Sequence, residues 1–253
     1  MDCNVYIKRL DVTDSTNRYA RDEAVALWRE AAGRQLVAVT ARHQTAGRGQ
    51  RGNVWNSLAG ENLLLTFVVR PGQSLQVTSQ FLLSQAVAVA IHSAMTRYGI
   101  DTRLKWPNDI YVGNRKLAGI LVELDYSGSC VEQAIIGIGL NVNQSDFPAM
   151  DRVPVSMKML LGKEFTVDDV LRDVIECFGR YYTGICTGEA DAIATEYKEL
   201  LLGIGEERHF IDSQGSFMAT IEGTEPTGHL LLRRSDGTLS RYAFKEVEQP
   251  MSD

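Results

Sequence analysis

The chain has 253 residues, 44% of them hydrophobic and 23% charged, with a formal net charge of −6. That length and composition fit a soluble globular protein with one large domain and room for a small second one. They exclude broad electrostatic attraction to nucleic acid, so any bound anion must be held by a local cluster of cations. The start, MDCNVYIKRLD, has no apolar core of a signal peptide, and the compact apolar stretch Ala86 to Ile91 is too short to span a bilayer. Cys3, Cys130, Cys177 and Cys186 lie apart without CxxC pairs, and His43, His92, His209 and His229 are equally scattered. A reduced, cytoplasmic protein without a zinc site is expected.

In chain order, Val5 to Leu10 reads as a strand, followed by the cap-rich cluster Thr13-Asp14-Ser15-Thr16-Asn17. Tyr19, Ala24, Leu27, Trp28 and Ala31 then recur at helical spacing, closed by Gly33. Gln35 to Thr40 suits a buried strand, Gln44 to Trp55 is a loop rich in Gly and Arg, and Leu63 to Val69 is a strand ended by Pro71-Gly72. Val77 to Tyr98 reads as one long core helix. Between Thr102 and Asn141, three strand-like runs broken by turn residues predict antiparallel hairpins. Helices follow over Ser156 to Leu161, from Thr166 with a Thr-x-x-Asp capping box, and on to about Leu202. After Gly203 and Gly205, short strands with turns predict a small β-barrel.

Gly47-Arg48-Gly49-Gln50-Arg51-Gly52 satisfies the dinucleotide pattern GxGxxG, yet it leads to Asn53-Val54-Trp55-Asn56 and a strand rather than opening a helix. Three glycines able to take φ > 0 can instead form an amide nest for an anion, with Arg48 and Arg51 adding charge-assisted bonds and Trp55 a purine face. A flexible turn with solvated arginines fits the same composition. Further on, a two-residue turn at Gly113-Asn114 would pair Tyr111 with Lys116 and Asp109 with Ala118. Lys116 and Asp109 would then be diagonal neighbours on one face, roughly 7–8 Å apart. This arrangement suits an ordinary ion pair, or a lysine aimed at a reacting oxyanion beside a carboxylate able to hold Mg²⁺. Gly137 and Gly139 precede Asn141, and glycines in a strand mark close approach by a ligand or a plain bulge.

Taken in this order, GRGQRGNVW (47–55), KWPND (105–109), KLAGILVE (116–123) and GIGLNVN (137–143) resemble the biotin–protein ligases. The resemblance runs from Ser15-Thr16-Asn17 to about Asn143, and a C-terminal barrel from Gly205 resembles the family's SH3-like domain. It implies an α+β fold: a mixed β-sheet backed by helices over residues 1–203, of the class II aminoacyl-tRNA-synthetase-like type, and an SH3-like β-barrel over 204–253. It implies a ligase that joins biotin to a lysine of a biotin carboxyl carrier protein through biotinyl-5′-AMP, using ATP and Mg²⁺. By the same resemblance, Ser15, Thr16 and Gln44 hydrogen-bond biotin and Asn17 orders their loop. Gly47, Arg48, Gly49, Gln50 and Arg51 form the loop over biotin and the adenylate phosphate. Lys116, beside Gly119, contacts the biotin carboxylate; Trp55 and Asn141 bind adenine; Asp109 is the magnesium-linked carboxylate. Lys116, Arg48 and Asp109 are the catalytic set. Relatives with arginine in place of Gln50 and Asn53 have more cations over the phosphate, so looser adenylate retention is expected here. Regulatory members carry an N-terminal helix-turn-helix domain; this chain opens on the first catalytic strand, so no DNA binding and no membrane association are expected, while a homodimer through sheet edges is compatible. The rival readings are a lipoate or octanoate ligase and a non-catalytic biotin sensor.

Overall fold

A computed structural model of the chain describes residues 4–148 and 153–250. The elements are β1 (Val5–Thr13), α1 (Thr16–Asp22), α2 (Ala24–Glu30), β2 (Leu36–Gln44), β3 (Leu63–Val69), β4 (Gly72–Gln76) and α3 (Leu82–Thr96). They continue as β5 (Arg103–Lys105), β6 (Asp109–Val112), β7 (Arg115–Ser127), β8 (Cys130–Leu140), α4 (Met157–Leu161), α5 (Val167–Thr187) and α6 (Ala190–Glu199). The last strands are β9 (Glu207–Asp212), β10 (Gly215–Thr224), β11 (Leu230–Arg234), β12 (Leu239–Tyr242) and β13 (Val247–Glu248).

The first eight strands form one mixed sheet in the order β1-β2-β3-β8-β7-β6-β5, with β4 beside β8. Only β1 and β2 run parallel; the remaining pairs are antiparallel. Alternation along the strands sorts their side chains between two layers. Leu36, Ala38, Phe67, Ile136 and Ile138 face the core built on α3 and α5, where Phe67 stacks on Phe178 with ring centroids 4.4 Å apart. Val37, Val39, Val68 and Ile135 face Ala20, Leu27 and Ala31 of the short helical layer. Helices α1 and α2 cover only part of that second face. Its continuation along β8, Gly137 and Gly139, carries no side chain and is left for the site.

Several sequence expectations change in physical detail. The single helix expected over Tyr19 to Ala31 is two helices meeting at Glu23, which caps one and starts the other. The break lets both Ala20 and Leu27 reach the sheet. The helix expected from Val77 begins at Leu82, because Gln76 pairs with Cys130 and the Val77 amide donates to Ser129 O at 2.9 Å. Those backbone donors belong to the sheet edge. Four strands, not three, occupy 103–140, since the Pro107-Asn108 turn isolates the short β5. Thr166 caps α5 by position, but its side chain makes no capping bond; Asp168 and Asp169 supply the first-turn negative charge instead.

The C-terminal strands form an antiparallel five-stranded sheet in the order β12-β11-β10-β9-β13. Its apolar residues Phe210, Ala219, Ile221 and Leu232 join the same core as the large sheet. No helix among the described residues is long and apolar enough to cross a membrane.

Candidate active site

Where α1 and α2 leave the sheet uncovered, a cavity of about 590 Å³ opens between the large sheet and the C-terminal strands. Its floor is glycine. Gly119 of β7 lies opposite Gly139 of β8, and Gly137 lies opposite Leu121. A Cβ on Gly139 would fall 2.2 Å from Trp55 Cε2, and one on Gly137 would fall 2.3 Å from Asn17 Oδ1. These strand glycines do mark close approach, and in this structure the approaching groups are the protein's own Trp55 and Asn17.

One wall comes from the start of α1. Ser15 is its N-cap, and both the amide and the hydroxyl of Thr16 donate to Gln44 Oε1, at 2.7 and 2.9 Å. The Thr66 hydroxyl donates to Asn17 Oδ1 at 2.7 Å and lies 2.8 Å from Thr16 Oγ1. The Asn17 amide donates to Glu123 Oε2 at 3.2 Å and more weakly to Leu121 O. Ser15, Thr16 and Asn17 are all buried, so their polar groups need these partners. Thr66 was not foreseen: within the apolar run Leu63–Val69 it is one hydroxyl on a strand, with nothing in sequence tying it to Asn17.

The opposite end carries the lysine. Tyr111 pairs with Lys116 as expected, but the register slips by one residue beyond it, so Asp109 faces Gly119 rather than Ala118. The bulge at Leu117 gives that apolar side chain to the core and leaves Lys116 and Asp109 on the cavity face. Asp109 and Lys116 remain diagonal neighbours across the hairpin, and the long lysine side chain spans the gap to direct contact, Nζ to Asp109 Oδ1 at 2.7 Å. Asp109 is 5% exposed, and the neighbouring Asn108 is fixed by its amide donating to Ile120 O at 2.7 Å. The Lys116 ammonium also lies 5.6 Å from the Trp55 ring.

The loop over the cavity is a small hairpin, with Arg48 bridged to Val54, the Gly49 amide donating to Asn53 O at 2.7 Å and the Trp55 amide to Gly47 O at 3.0 Å. The expected nest of three left-handed glycines is not formed. Gly52 alone of the three has positive φ, at 87°. Gly47 is needed for another reason: a Cβ there would sit 2.3 Å from Trp55 O. Arg48 Nη2 pairs with Glu123 Oε1 at 3.3 Å, whereas the Arg51 side chain lies outside the described residues. Gln50 Oε1 and Trp55 Nε1 are buried with no hydrogen-bond partner among the described residues. In a cavity, such atoms are groups that a ligand can satisfy.

Two residue sets complete the picture. Asn141 does not line the cavity; it is buried beside it, its amide donating to Val155 O at 3.1 Å. The C-terminal segment, by contrast, supplies a wall that sequence reasoning missed: Phe244 and Lys245 of the β12–β13 connection, and Val247 of β13. Two bonds tie the C-terminal sheet to the KWPND turn: Lys105 Nζ donates to Gln249 O at 3.1 Å, beside this wall, and Trp106 Nε1 to Gly228 O of the β10–β11 connection at 2.9 Å. Trp106 also meets Phe244 edge-on. Lys245 is the one non-glycine among the described residues in the left-handed region, with φ of 73°. The only sequence signal was the KWPND motif itself, whose lysine and tryptophan reach partners 144 and 122 residues away. Trp106→Ala is expected to cost about 2–3 kcal/mol, less than a fully buried tryptophan because this ring is half-buried. An unchanged chemical-denaturation midpoint would show that the two sheets are joined by other contacts.

Known proteins resemble the chain in sequence and in fold. A profile described as the biotin/lipoate A/B protein ligase family matches residues 10–141, just over half of the chain. The chain is 34% identical over 208 residues to the "Bifunctional ligase/repressor BirA" of Bacillus subtilis, a match covering 81% of this chain and 64% of that protein. It thus spans less than two thirds of the length of that relative. The "Biotin--[acetyl-CoA-carboxylase] ligase" of Paracoccus denitrificans is 32% identical over 232 residues, covering 89% of this chain and 93% of that one. The structure of "Biotin protein ligase from Aquifex aeolicus in complex with biotin and ATP" superposes with a TM-score of 0.77 at 24% identity, covering 98% of this chain and 99% of that chain, which establishes the fold. By the matched profile and the near-full-length relative, the chain belongs to the biotin/lipoate A/B protein ligase family.

Proposed function

We propose that the chain is a biotin–protein ligase, cytoplasmic, that activates biotin with ATP and transfers it to a lysine of a biotin carboxyl carrier protein. The observation that carries this reading is Lys116: an ammonium held at 2.7 Å by a buried carboxylate, facing a cavity with a glycine floor and roofed by an arginine loop. An acid and a nucleotide joined head to head need a cation at their junction and an apolar slot on either side.

In the first step the biotin carboxylate attacks the α-phosphate of ATP, forming the acyl–phosphate bond and releasing pyrophosphate. In the second the acceptor amine attacks the acyl carbon and AMP leaves. Neither step requires a nucleophilic side chain, so the protein positions the reactants and stabilises charge. Lys116 neutralises the carboxylate as it approaches phosphate and then the oxyanion at the acyl carbon. Asp109 is a positioning residue that aims the ammonium. Arg48, with Gly49 and Gln50, covers the phosphate; Ser15, Thr16 and Gln44 bind the biotin end, Asn17 ordering them; Trp55 packs on the adenine side. Asn141 shapes that side from beneath, through its bond to Val155 O.

Magnesium enters this scheme with ATP. Among the described residues no group of three or more His, Cys, Asp or Glu could hold a metal ion, and Asp109 is already engaged by Lys116. Asp109, buried at the cavity wall, would be the residue to hold a magnesium ion, which would supply neutralisation of the phosphate charge. We further propose that residues 1–203 form the catalytic domain and 204–253 an SH3-like domain closing one cavity wall.

The test is exchange of labelled pyrophosphate into ATP. Exchange that requires biotin is the expected result. Exchange with lipoate or octanoate instead would move the chain to the other branch of its family, and exchange with none of these acids would overturn the adenylation reading.

A further inference from the structure

We propose that Glu123 is a positioning residue that holds Arg48 away from the phosphate until an adenylate is present, and so competes with the nucleotide for the guanidinium. The inference rests on the biotin–adenylate reading above and extends it to a residue that reading leaves without a role.

Gly119 and Leu121 of β7 line the cavity, and Glu123, two residues on, shares their face of the strand and touches the cavity residues Asn17 and Arg48, while Val122 joins the core behind. Asp125, the next residue of that row, is taken by Arg21 of α1, whereas Glu123 sits where the α1 wall and the arginine loop meet. Its two oxygens are divided between them: Oε2 accepts from Asn17 Nδ2 at 3.2 Å, and Oε1 faces Arg48 Nη2 at 3.3 Å. The Asn17 contact is anchored, because Asn17 is 3% exposed and bound also by Thr66. The Arg48 contact is a single bond to a half-exposed side chain, and among the described residues no other group takes the remaining guanidinium donors.

These two contacts differ in strength for a physical reason. A lone, partly exposed Arg–carboxylate contact contributes little. A phosphate offers the same guanidinium two parallel charge-assisted bonds. The adenylate therefore draws Arg48 from Glu123, and the carboxylate takes it back when the phosphate leaves. Glu123 keeps the loop cation parked against the sheet, and it lowers apparent nucleotide affinity by the strength of the parking contact.

Glu123→Gln tests this. The amide keeps an oxygen for Asn17 and removes the charge that holds Arg48. In biotin-dependent pyrophosphate exchange, the KM for ATP is expected to fall about two- to fivefold, the range of a half-exposed ion pair. The KM for biotin and kcat should change by less than the KM for ATP. In an Arg48→Ala background the gain from Glu123→Gln should shrink to less than half. Glu123→Asp, which withdraws the carboxylate by one methylene, should shift the KM for ATP in the same direction. An unchanged or raised KM for ATP in Glu123→Gln overturns the proposal, as does a full gain without Arg48, which would mean that Glu123 acts only through its field. Lack of exchange in the unmodified protein would instead overturn the ligase reading, so the two failures are distinct.

Discussion

Lys116→Ala is expected to slow adenylation about 10²–10³-fold, the loss typical of removing one donor aimed at a developing oxyanion. The size follows from where the ammonium sits. A solvated lysine would be screened, but this one is held by Asp109 at 2.7 Å, in a recess where the carboxylate is 5% exposed. The same geometry creates a complication. Removing Lys116 leaves Asp109 as a buried charge without its ammonium, and breaking a buried pair from one side destabilises. Single-turnover formation of the adenylate at saturating biotin and ATP, with thermal unfolding on the same sample, separates the two effects. Asp109→Asn offers the complementary arm: it keeps the ammonium but aims it less firmly, so a smaller loss, roughly tenfold, is expected. A folded Lys116→Ala protein with near-normal adenylation would remove Lys116 from the mechanism.

How much of this was legible beforehand depended on whether the cause was local. The run Leu63–Val69 reads as a strand from its apolar residues, and all seven prove buried; the turn at Gly113-Asn114 set the first pairs of its hairpin. The slip at Leu117 was not legible. It follows from a leucine seeking the core while its neighbours Lys116 and Gly119 face the cavity, a balance that only the packed sheet decides. The arginine loop was legible as chemistry and misread as geometry: its glycines serve close contact with Trp55 and Asn53 more than a nest of amides. Glu123 was visible only as the last letter of a motif. The wall formed by Phe244 and Lys245 was out of reach, since the contacts that place it join residues more than a hundred positions apart.

Gly137→Ala and Gly139→Ala should fail in different ways, and the difference tests the floor of the site. At Gly137 the new Cβ lies 2.3 Å from Asn17 Oδ1 and 2.8 Å from its Cγ. Asn17 cannot step aside cheaply, because Thr66, Leu121 O and Glu123 all hold it. Relief requires breaking one of those buried bonds or bending the strand, at about 1–3 kcal/mol. The displaced segment carries Ser15 and Thr16, so the KM for biotin should rise roughly tenfold or more, which is about 1.4 kcal/mol of binding. Thermal unfolding should fall by several degrees. At Gly139 the Cβ instead meets the Trp55 ring, 2.2 Å from Cε2 and 2.6 Å from Cδ2. That ring is half-buried at the end of a loop, and its indole N–H has no hydrogen-bond partner among the described residues to lose. It can swing outward, so Gly139→Ala should keep most of its stability and lose affinity for ATP more than for biotin. Steady-state KM values for the two substrates, measured in both variants, decide the matter. If Gly139→Ala weakens biotin as much as Gly137→Ala does, the tryptophan roofs the whole cavity, and the division into a biotin end at Asn17 and a nucleotide end at Trp55 is wrong.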